Sequence, residues 1–488
     1  MSTHKEVTQK AVHSFKWSIL TEIVSRTALP IIFVILARLL TPDDFGVVAT
    51  AMIAISFAQI FWDAGLSKAL IQSEETPEDA AHVVFWTNIF LGVLIYFTLF
   101  IAAPAIALFF NSPSSSPVLR VLGLQIVIAS FSSVQQALFI RDLDFRGLFW
   151  IKLLSAFVPG LCSIPMALFG YGVWALVAGL LAGQILNCLL LWQRSTWRPK
   201  FTYNRELARK LFTFGFWVVG ESLALWFVLW GDHLIVGKFL GIHDLGLYRT
   251  GCMIVAIIFG FVLGSFLPVL YPTLSRFQDN IPAMIKIFHQ ANRVVMALVL
   301  PMGVGVFLVG HEVAFVLFGT KWQGIGFVLS IIGLTNGVTW IVGINTELYR
   351  SIGRPDINTK LMFMAIVYYL PSYFIAALFG LETFVYARLI VGTLGIFIHV
   401  YVCKKLFNFS PFYLWQAGKP MILSSMVMAI GVATLKWGIL PLMNIPHVTI
   451  SLAILIGAGV LIYLACLWFL DRNFVRETRS TIKKAALA

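Results

Sequence analysis

Long apolar runs recur along almost the whole chain of 488 residues, and each is about long enough to cross a bilayer. Hydrophobic residues make up 59% of the sequence and charged residues only 12%, whereas charged residues are roughly 25% of a soluble domain. The runs lie at 15–39, 44–67, 82–110, 117–139, 147–169, 171–193, 212–237, 245–270, 287–309, 324–348, 358–379, 383–403, 420–440 and 448–470. The sequence therefore predicts an all-α integral membrane protein with about fourteen transmembrane helices.

One segment of the chain occurs twice without a gap. ARLLTPDDFGVVAT at 37–50 returns as GKFLGIHDLGLYRT at 237–250, and each copy bridges the end of one apolar run and the start of the next. A second echo, ALFG at 167–170, returns at 377–380 with a similar offset. Repeated halves within a bilayer are typical of transporters whose substrate binds between the halves.

The repeat divides the chain into segments. The polar stretch 194–211 separates the sixth and seventh runs, and helices thirteen and fourteen have no counterpart in the first half. Because six helices separate the copies, both enter the membrane in the same direction, which predicts two parallel-repeat six-helix lobes around a central cavity. We predict an N-terminal lobe at 1–193, a basic cytoplasmic linker at 194–211, a C-terminal lobe at 212–406, and two extra helices with a basic tail at 407–488.

The net charge of +13 is distributed by loop. Its basic residues fall almost entirely in alternate loops, which is the orientation signal of a membrane protein and not a nucleic-acid surface. This distribution predicts that both termini are cytoplasmic. The first run is too long for a signal peptide and no small-residue cleavage site follows it, so we expect the first helix to be retained.

Several common chemistries have no support in the sequence. The five cysteines are isolated and odd in number, so they predict neither a disulfide framework nor a metal site. The chain has no phosphate-binding loop of the GxxxxGK[ST] type, no HExxH and no GxSxG. We therefore expect no cofactor and no enzymatic activity.

Two motifs resemble a known family. LLTPDDFG at 39–46 and FWDAGLSKALIQ at 61–72 are similar to the Wzx-type polysaccharide flippases, and most similar to the WzxC branch. These flippases belong to the multidrug/oligosaccharidyl-lipid/polysaccharide exporter superfamily. In the second copy Gly241 and Ile242 replace Thr41 and Pro42, so the resemblance rests mainly on the first lobe.

The resemblance implies a function. It implies a bacterial inner-membrane flippase that moves an undecaprenyl-diphosphate-linked oligosaccharide from the cytoplasmic to the periplasmic leaflet by alternating access. The process served would be exopolysaccharide or lipopolysaccharide synthesis, with a polysaccharide polymerase and export machinery as partners. One alternative is a drug or cation antiporter of the same superfamily, which would need an acidic, aromatic cavity. Another is a membrane polymerase or ligase, which we expect to carry a larger outer loop than this chain has.

Ionisable residues inside apolar runs are costly in lipid and are therefore functional candidates. Glu22 and Arg26 share one face of the first helix, and Pro30 is expected to kink that helix by leaving the Arg26 carbonyl without its partner. Asp63 ends a polar stripe on the second helix, and Glu221 lies within the seventh. We predict roles in gating or in H+ or Na+ coupling for these residues. The alternatives are a buried structural ion pair for Glu22 and an interfacial position for Asp63.

An anionic cargo would need cations. Arg26, Arg249, Arg350 and Arg388 are candidates for binding a diphosphate, because arginine suits bidentate contacts with phosphate. Any one of them could instead extend to the interface or set the topology. As a set spread over both lobes they predict a basic cavity.

Other polar residues are open to two interpretations. Tyr368, Tyr369 and Tyr373 could contact sugar rings, although tyrosine is also common where helices pack. Asp232 and His233 lie close to Lys238 and the outer surface, so the sequence favours ordinary interfacial residues.

Overall fold

The computed structural model describes residues 30–63, 65–67, 70, 77–202, 205–407, 411–443 and 447–477. These residues form α-helices joined by short turns, with a 3₁₀ turn at Gly319–Lys321 and a π-helical segment at Leu435–Ile439. The helices are α1 (Pro30–Leu39), α2 (Pro42–Asp63), α3 (Pro77–Phe109), α4 (Ser115–Leu122), α5 (Leu124–Arg141), α6 (Phe145–Leu168), α7 (Val173–Arg194), α8 (Arg205–Phe239), α9 (Ile242–Ser275), α10 (Ile281–Phe318), α11 (Ile325–Thr339), α12 (Asn345–Ser351), α13 (Pro355–Ala377), α14 (Leu381–Phe407), α15 (Pro411–Thr434) and α16 (Val448–Leu470).

Within the described ranges, 12 helical segments are long and apolar enough to cross a membrane. Each apolar run of the sequence overlaps a described helix, and the all-α integral membrane class is confirmed. The count of fourteen spans is not confirmed, because the described part of α1 and the whole of α11 are shorter than a full span.

The run at 324–348 is not the single helix that its hydropathy predicts. The hydroxyl of Thr339 donates to the Thr335 carbonyl at 2.8 Å, and the N–H groups of Val342 and Gly343 bond three residues back instead of four. The α-helical segment ends at Thr339, and α12 begins at Asn345.

The chain divides into two compact units, the first ending at Arg249 and the second beginning at Thr250. In the first unit α8 packs against α2 and α3, so the start of the second repeat belongs to this unit by its contacts. The lobe boundaries at 193, 211 and 406 stay a prediction from the sequence.

Helix α2 is central to the first unit. It packs against α3, α4, α7 and α8, and Ala51 and Ile55 are fully buried among side chains of these neighbours. Its apolar faces are thus covered by other helices of the first unit.

The two copies of the repeat meet at their glycines. A Cβ added to Gly46 would lie 1.9 Å from the carbonyl oxygen of Ile242, and one added to Gly246 would lie 2.0 Å from the carbonyl oxygen of Pro42. Positions 42 and 242 correspond in the repeat, as do 46 and 246. The contact is therefore reciprocal, as a two-fold relation between two similar segments requires.

The first turns of α2 and α9, which begin in the two copies of the repeat, have different backbone structures. Thr41 caps α2 with its hydroxyl on the Asp44 N–H at 3.3 Å, and the Asp44 carboxylate accepts from the Thr41 N–H at 3.0 Å. This is a reciprocal capping box. Gly241, at the equivalent position before α9, has a left-handed backbone with φ of +92°, which glycine adopts without steric cost. The departure of the second copy from the first-copy motif therefore has a local structural reason.

We expect Gly46→Ala to destabilise the protein by about 1–3 kcal/mol, because the new methyl group meets a backbone carbonyl that cannot rotate away. The measurement is the midpoint of thermal unfolding of the purified protein in one detergent. Gly220→Ala on α8 is the matched control, since a Cβ there meets nothing within 4 Å. Equal midpoints for the two variants would show that the glycine contact does not hold the copies together.

Helices α15 and α16 pack against each other and against α10. Lys436 binds both carboxylate oxygens of Glu312 at 2.9 Å, and Arg293 pairs with Asp471 after the end of α16. The two partners on α10 are 19 residues apart, which is roughly 28 Å along a helix axis and close to the thickness of the hydrocarbon core. The extra helices are thus fastened to α10 at points one membrane thickness apart.

We expect Glu312→Gln to lower the unfolding midpoint more than Asp356→Asn does. The Lys436 and Glu312 side chains are 16% and 19% exposed, so removing the carboxylate leaves a poorly solvated ammonium at a cost of about 1–3 kcal/mol. Asp356 pairs with both Arg354 and Lys360, whose side chains are far more exposed, and exposed pairs contribute about 0–1 kcal/mol each. Thermal unfolding in parallel samples compares the two, and an equal or smaller loss for Glu312→Gln would contradict the fastening role.

Candidate functional site

Part of the predicted gating set lies beyond what the structure describes. Glu22 and Arg26 fall outside the described residues, and Pro30 is the first described residue of α1. Asp63 is the last residue of α2, and its side chain is outside the described set. The predicted kink and the Glu22–Arg26 pair therefore stay predictions.

The polar stripe on α2 contributes to helix packing. The indole N–H of Trp226 on α8 donates to the Ser56 hydroxyl at 2.9 Å, and that hydroxyl lies 2.9 Å from the Ile53 carbonyl, to which it donates. Phe57 packs edge-on against the same indole at 5.1 Å. Gln59, by contrast, is exposed. At Ser56, at least, the stripe joins α2 to α8.

Three further candidates differ in environment. Glu221 on α8 is exposed. Arg350 is also exposed and pairs with Glu347 at 3.2 Å. Arg388 on α14 is half-buried, with a guanidinium nitrogen 3.7 Å from the Cys252 sulfur. These environments do not test the roles predicted for the three residues in coupling and in anion binding, which stay predictions.

The first unit contains a compact polar group that we call the Asp232 cluster, made of Trp230, Asp232, His233, Tyr248 and Arg249. Asp232 is only 6% exposed. Its carboxylate accepts from the Tyr248 hydroxyl at 2.7 Å and from the His233 N–H at 2.8 Å, and it lies 2.6 Å from Nδ1 of His233. A buried carboxylate needs such partners, because removal from water destabilises an unpaired charge.

Arg249 joins this cluster through an aromatic ring. Its guanidinium carbon lies 4.5 Å from the centre of the Trp230 ring, and that ring is 5.6 Å from the His233 ring. Arginine over an indole face is a favourable cation–π arrangement. Of the predicted anion-binding arginines, Arg249 thus shares the neighbour Trp230 with His233.

The sequence pattern did not identify this cluster. Lys238, the residue that suggested an interfacial position, donates to the Phe109 carbonyl at 2.7 Å, whereas Asp232, six residues earlier, is buried in protein. The short connection between α8 and α9 brings Asp232 and Tyr248 together from opposite sides of the turn. The expectation of ordinary interfacial residues is therefore wrong for Asp232.

The first copy has apolar residues where the second has this cluster. The positions that correspond to Asp232, His233, Tyr248 and Arg249 are Ile32, Phe33, Val48 and Ala49. In the first copy Ile32 and Val48 pack against a buried apolar cluster around Leu36 and Leu40. The repeat fold itself thus does not require the polar group, and comparing the two copies is the sequence signal that could have revealed it.

The tyrosines predicted to meet sugar rings form an aromatic row on α13. The Tyr368 and Tyr369 rings are 4.7 Å apart, the Tyr369 and Tyr373 rings 5.6 Å apart, and Tyr373 contacts Phe384 of α14. Tyr373 is buried while the other two are half-buried. Packing explains Tyr373, and a role of Tyr368 and Tyr369 in sugar binding stays a prediction. Across the described residues, no group of three or more His, Cys, Asp or Glu side chains could hold a metal ion.

The chain is similar to known proteins of polysaccharide transport and biosynthesis. The family described as "Polysaccharide biosynthesis protein" matches residues 35–326. A relative, the succinoglycan biosynthesis transport protein ExoT of Rhizobium meliloti (strain 1021), is 26% identical over 322 residues, covering 66% of this chain and 65% of that protein. The lipopolysaccharide biosynthesis protein WzxC of Escherichia coli (strain K12) is 22% identical over 370 residues, covering 75% and 74%.

A solved structure shares the fold. It is described as "Lipid II flippase MurJ, inward closed conformation" and superposes with a TM-score of 0.74 at 15% identity, covering 94% of this chain and 100% of that one. At this identity the likeness shows the fold alone.

The long apolar helices of the described residues define a multi-pass membrane protein. The chain belongs to the polysaccharide biosynthesis protein family, whose match covers more than half of its length. The family expected from the motifs at 39–46 and 61–72 is thereby confirmed.

Proposed function

We propose that this protein is a flippase for an undecaprenyl-diphosphate-linked oligosaccharide, carrying it from the cytoplasmic to the periplasmic leaflet for exopolysaccharide or lipopolysaccharide synthesis. The observation that carries the proposal is the family match, together with relatives named as polysaccharide transport and biosynthesis proteins. The flippase fold over 94% of the chain is consistent with it.

The charge and polarity of such a cargo determine what kind of path the protein must provide. An ionised diphosphate with attached sugars cannot enter hydrocarbon unaided. Removing its hydration shell would cost roughly tens of kcal/mol, because a charge is poorly solvated in a medium of low dielectric constant. The protein must supply a hydrated, cationic path for the head group while the lipid tail stays in the bilayer. Arg249 is suited to this task because its guanidinium is half-buried and held beside Trp230. Arg26, Arg350 and Arg388 are the other proposed contacts.

Voltage alone can drive such a cargo outward. An inside-negative potential favours the export of anions by about 2.3 kcal/mol per charge per 100 mV. Coupling to H+ or Na+ through Glu22 or Glu221 would add to this force. Catalysis is not part of the proposal, because transport needs no covalent step.

The proposal also includes an orientation and a location. The basic residues concentrate in alternate loops, which supports cytoplasmic termini in a bacterial inner membrane. A polysaccharide polymerase and export machinery would then receive the glycan on the periplasmic side. The rival function, a drug or cation antiporter, finds no support in the names of the sequence relatives.

We expect Arg249→Ala to reduce flipping of a labelled lipid-linked oligosaccharide in proteoliposomes by about tenfold, because a charge-assisted contact with phosphate is lost. Arg120→Ala is the matched control, since Arg120 also lies over an aromatic ring, at 4.7 Å from Phe100. Unchanged flipping in Arg249→Ala, at equal protein incorporation, would exclude Arg249 from the anion path. Absence of flipping by the unaltered protein would reject the proposed cargo.

Alternating access predicts that the contact between the two copies must open during transport. Asp43 and His243 occupy equivalent positions, bind each other at 2.9 Å and are 57% and 54% exposed. We expect Asp43→Cys combined with His243→Cys, joined by a short bismethanethiosulfonate linker, to stop flipping until a reductant is added. Each single variant treated with the same reagent is the control. Full flipping by the linked protein would show that this contact stays closed throughout the cycle.

A further inference from the structure

The Asp232 cluster holds a carboxylate and an imidazole in direct contact inside the first unit. Oδ1 of Asp232 and Nδ1 of His233 are 2.6 Å apart, and the two side chains are 7% and 12% exposed. Two lone pairs at this distance would repel each other, so a hydrogen must lie between the atoms. Because imidazole can bind a second proton at Nε2 while Nδ1–H keeps its bond to the carboxylate, the pair can change charge without losing this contact.

We propose that Asp232, His233 and Tyr248 form a proton-binding site whose occupancy is linked to anion binding at Arg249. Imidazole is the side chain whose charge ordinarily changes between about pH 5 and pH 8. When Nε2 of His233 accepts a proton, the pair passes from a net charge of −1 to 0 and no covalent bond breaks. Tyr248 keeps the carboxylate oriented by donating to its other oxygen at 2.7 Å.

The link to Arg249 is electrostatic. Both groups are close to the Trp230 ring, whose centre is 5.6 Å from the His233 ring and 4.5 Å from the Arg249 guanidinium carbon. A net negative charge at the pair competes with an incoming anion for the field of Arg249, and protonation removes that charge. Proton and anion therefore favour each other's binding, and the coupling is reciprocal. This part rests on the proposed function, because the diphosphate cargo supplies the anion.

The other charged groups around the pair have their own partners or lie further away. Helix α8 packs against α2 and α3, and α9 supplies Tyr248. Their described charged groups include Asp43 bound to His243, Asp44 bound to Thr41, Lys238 bound to the Phe109 carbonyl, and Asp244 beside His243. Glu221 lies roughly 16 Å away along α8, and Asp79 and His82 lie at the opposite end of α3 from Phe109. The other titratable groups on these helices include Tyr96, Cys252 and Tyr271. Arg249 is thus the cation that shares an aromatic neighbour with His233.

The location suits coupling. Tyr248 follows Gly246 by two residues on α9, and Gly246 is the residue that meets Pro42 of the first copy. A change of charge at Asp232 and His233 therefore acts on the helix end that carries the contact between the copies. The corresponding positions in the first copy are apolar, so the proposed proton site belongs to the second copy.

The test uses the full-length protein in nanodiscs and an undecaprenyl-diphosphate-linked monosaccharide, whose diphosphate diester keeps its charge between pH 6 and pH 8. We expect binding to be about fivefold tighter at pH 6 than at pH 8. The ratio should fall to about one in Asp232→Asn and in His233→Gln. His311→Gln, which removes an exposed histidine of α10, should keep the ratio of the unaltered protein.

A second readout does not depend on the lipid. Nitrogen NMR of the histidines, with His233→Gln to assign the signal, follows the protonation of His233 directly. Tyr248→Phe retains both charged groups but removes one donor to the carboxylate, so we expect its His233 signal to differ from that of the unaltered protein.

The outcomes separate the two proposals. A His233 signal that does not change between pH 5 and pH 9 overturns the proton site, and a binding ratio of one in the unaltered protein overturns the linkage. Titration of His233 without binding of the lipid at either pH leaves the proton site standing and rejects the proposed cargo.

Discussion

The close approach of two glycines to two backbone carbonyls determines how the two copies of the repeat meet. Gly46 and Gly246 leave room only for hydrogen where any other residue would place a carbon within about 2 Å of an oxygen. The ends of α2 and α9 can therefore lie in contact, and the Asp43–His243 pair forms beside them. The position of Tyr248, two residues further along α9, is set by the same contact, so the geometry of the Asp232 cluster depends on it.

Hydropathy and motifs were sufficient to predict the class and the family. Long apolar runs identify helices in lipid because the bilayer leaves few other ways to satisfy the backbone, and the motif around Thr41 and Pro42 coincides with a capping box that starts α2. Hydropathy did not predict the break after Thr339, where backbone N–H groups bond three residues back instead of four. A hydropathy average over side chains carries no information on the backbone hydrogen-bond pattern.

The candidate site was harder to predict because its residues come from two helices. Each helix considered alone presents Asp232 and Tyr248 as separate polar residues near a membrane boundary, and only the α8–α9 turn brings them within 2.7 Å. Arg249 was predicted from the chemistry of phosphate binding, but its neighbours Trp230 and His233 were not. The two copies of the repeat have diverged at these positions, with an apolar hairpin in the first and an ionisable one in the second. The two copies thus share a backbone arrangement, and the second copy carries ionisable residues where the first has apolar ones.

The two ion pairs that join α10 to the last two helices also set a length. Glu312 and Arg293 are separated along α10 by roughly the depth of a hydrocarbon layer, and each charge is stable only where water or head groups are near. A thicker bilayer would draw at least one pair into lipid, and a thinner one would expose apolar helix between them. The spacing therefore sets a hydrocarbon thickness at which both ion pairs could lie at the edges of the apolar layer.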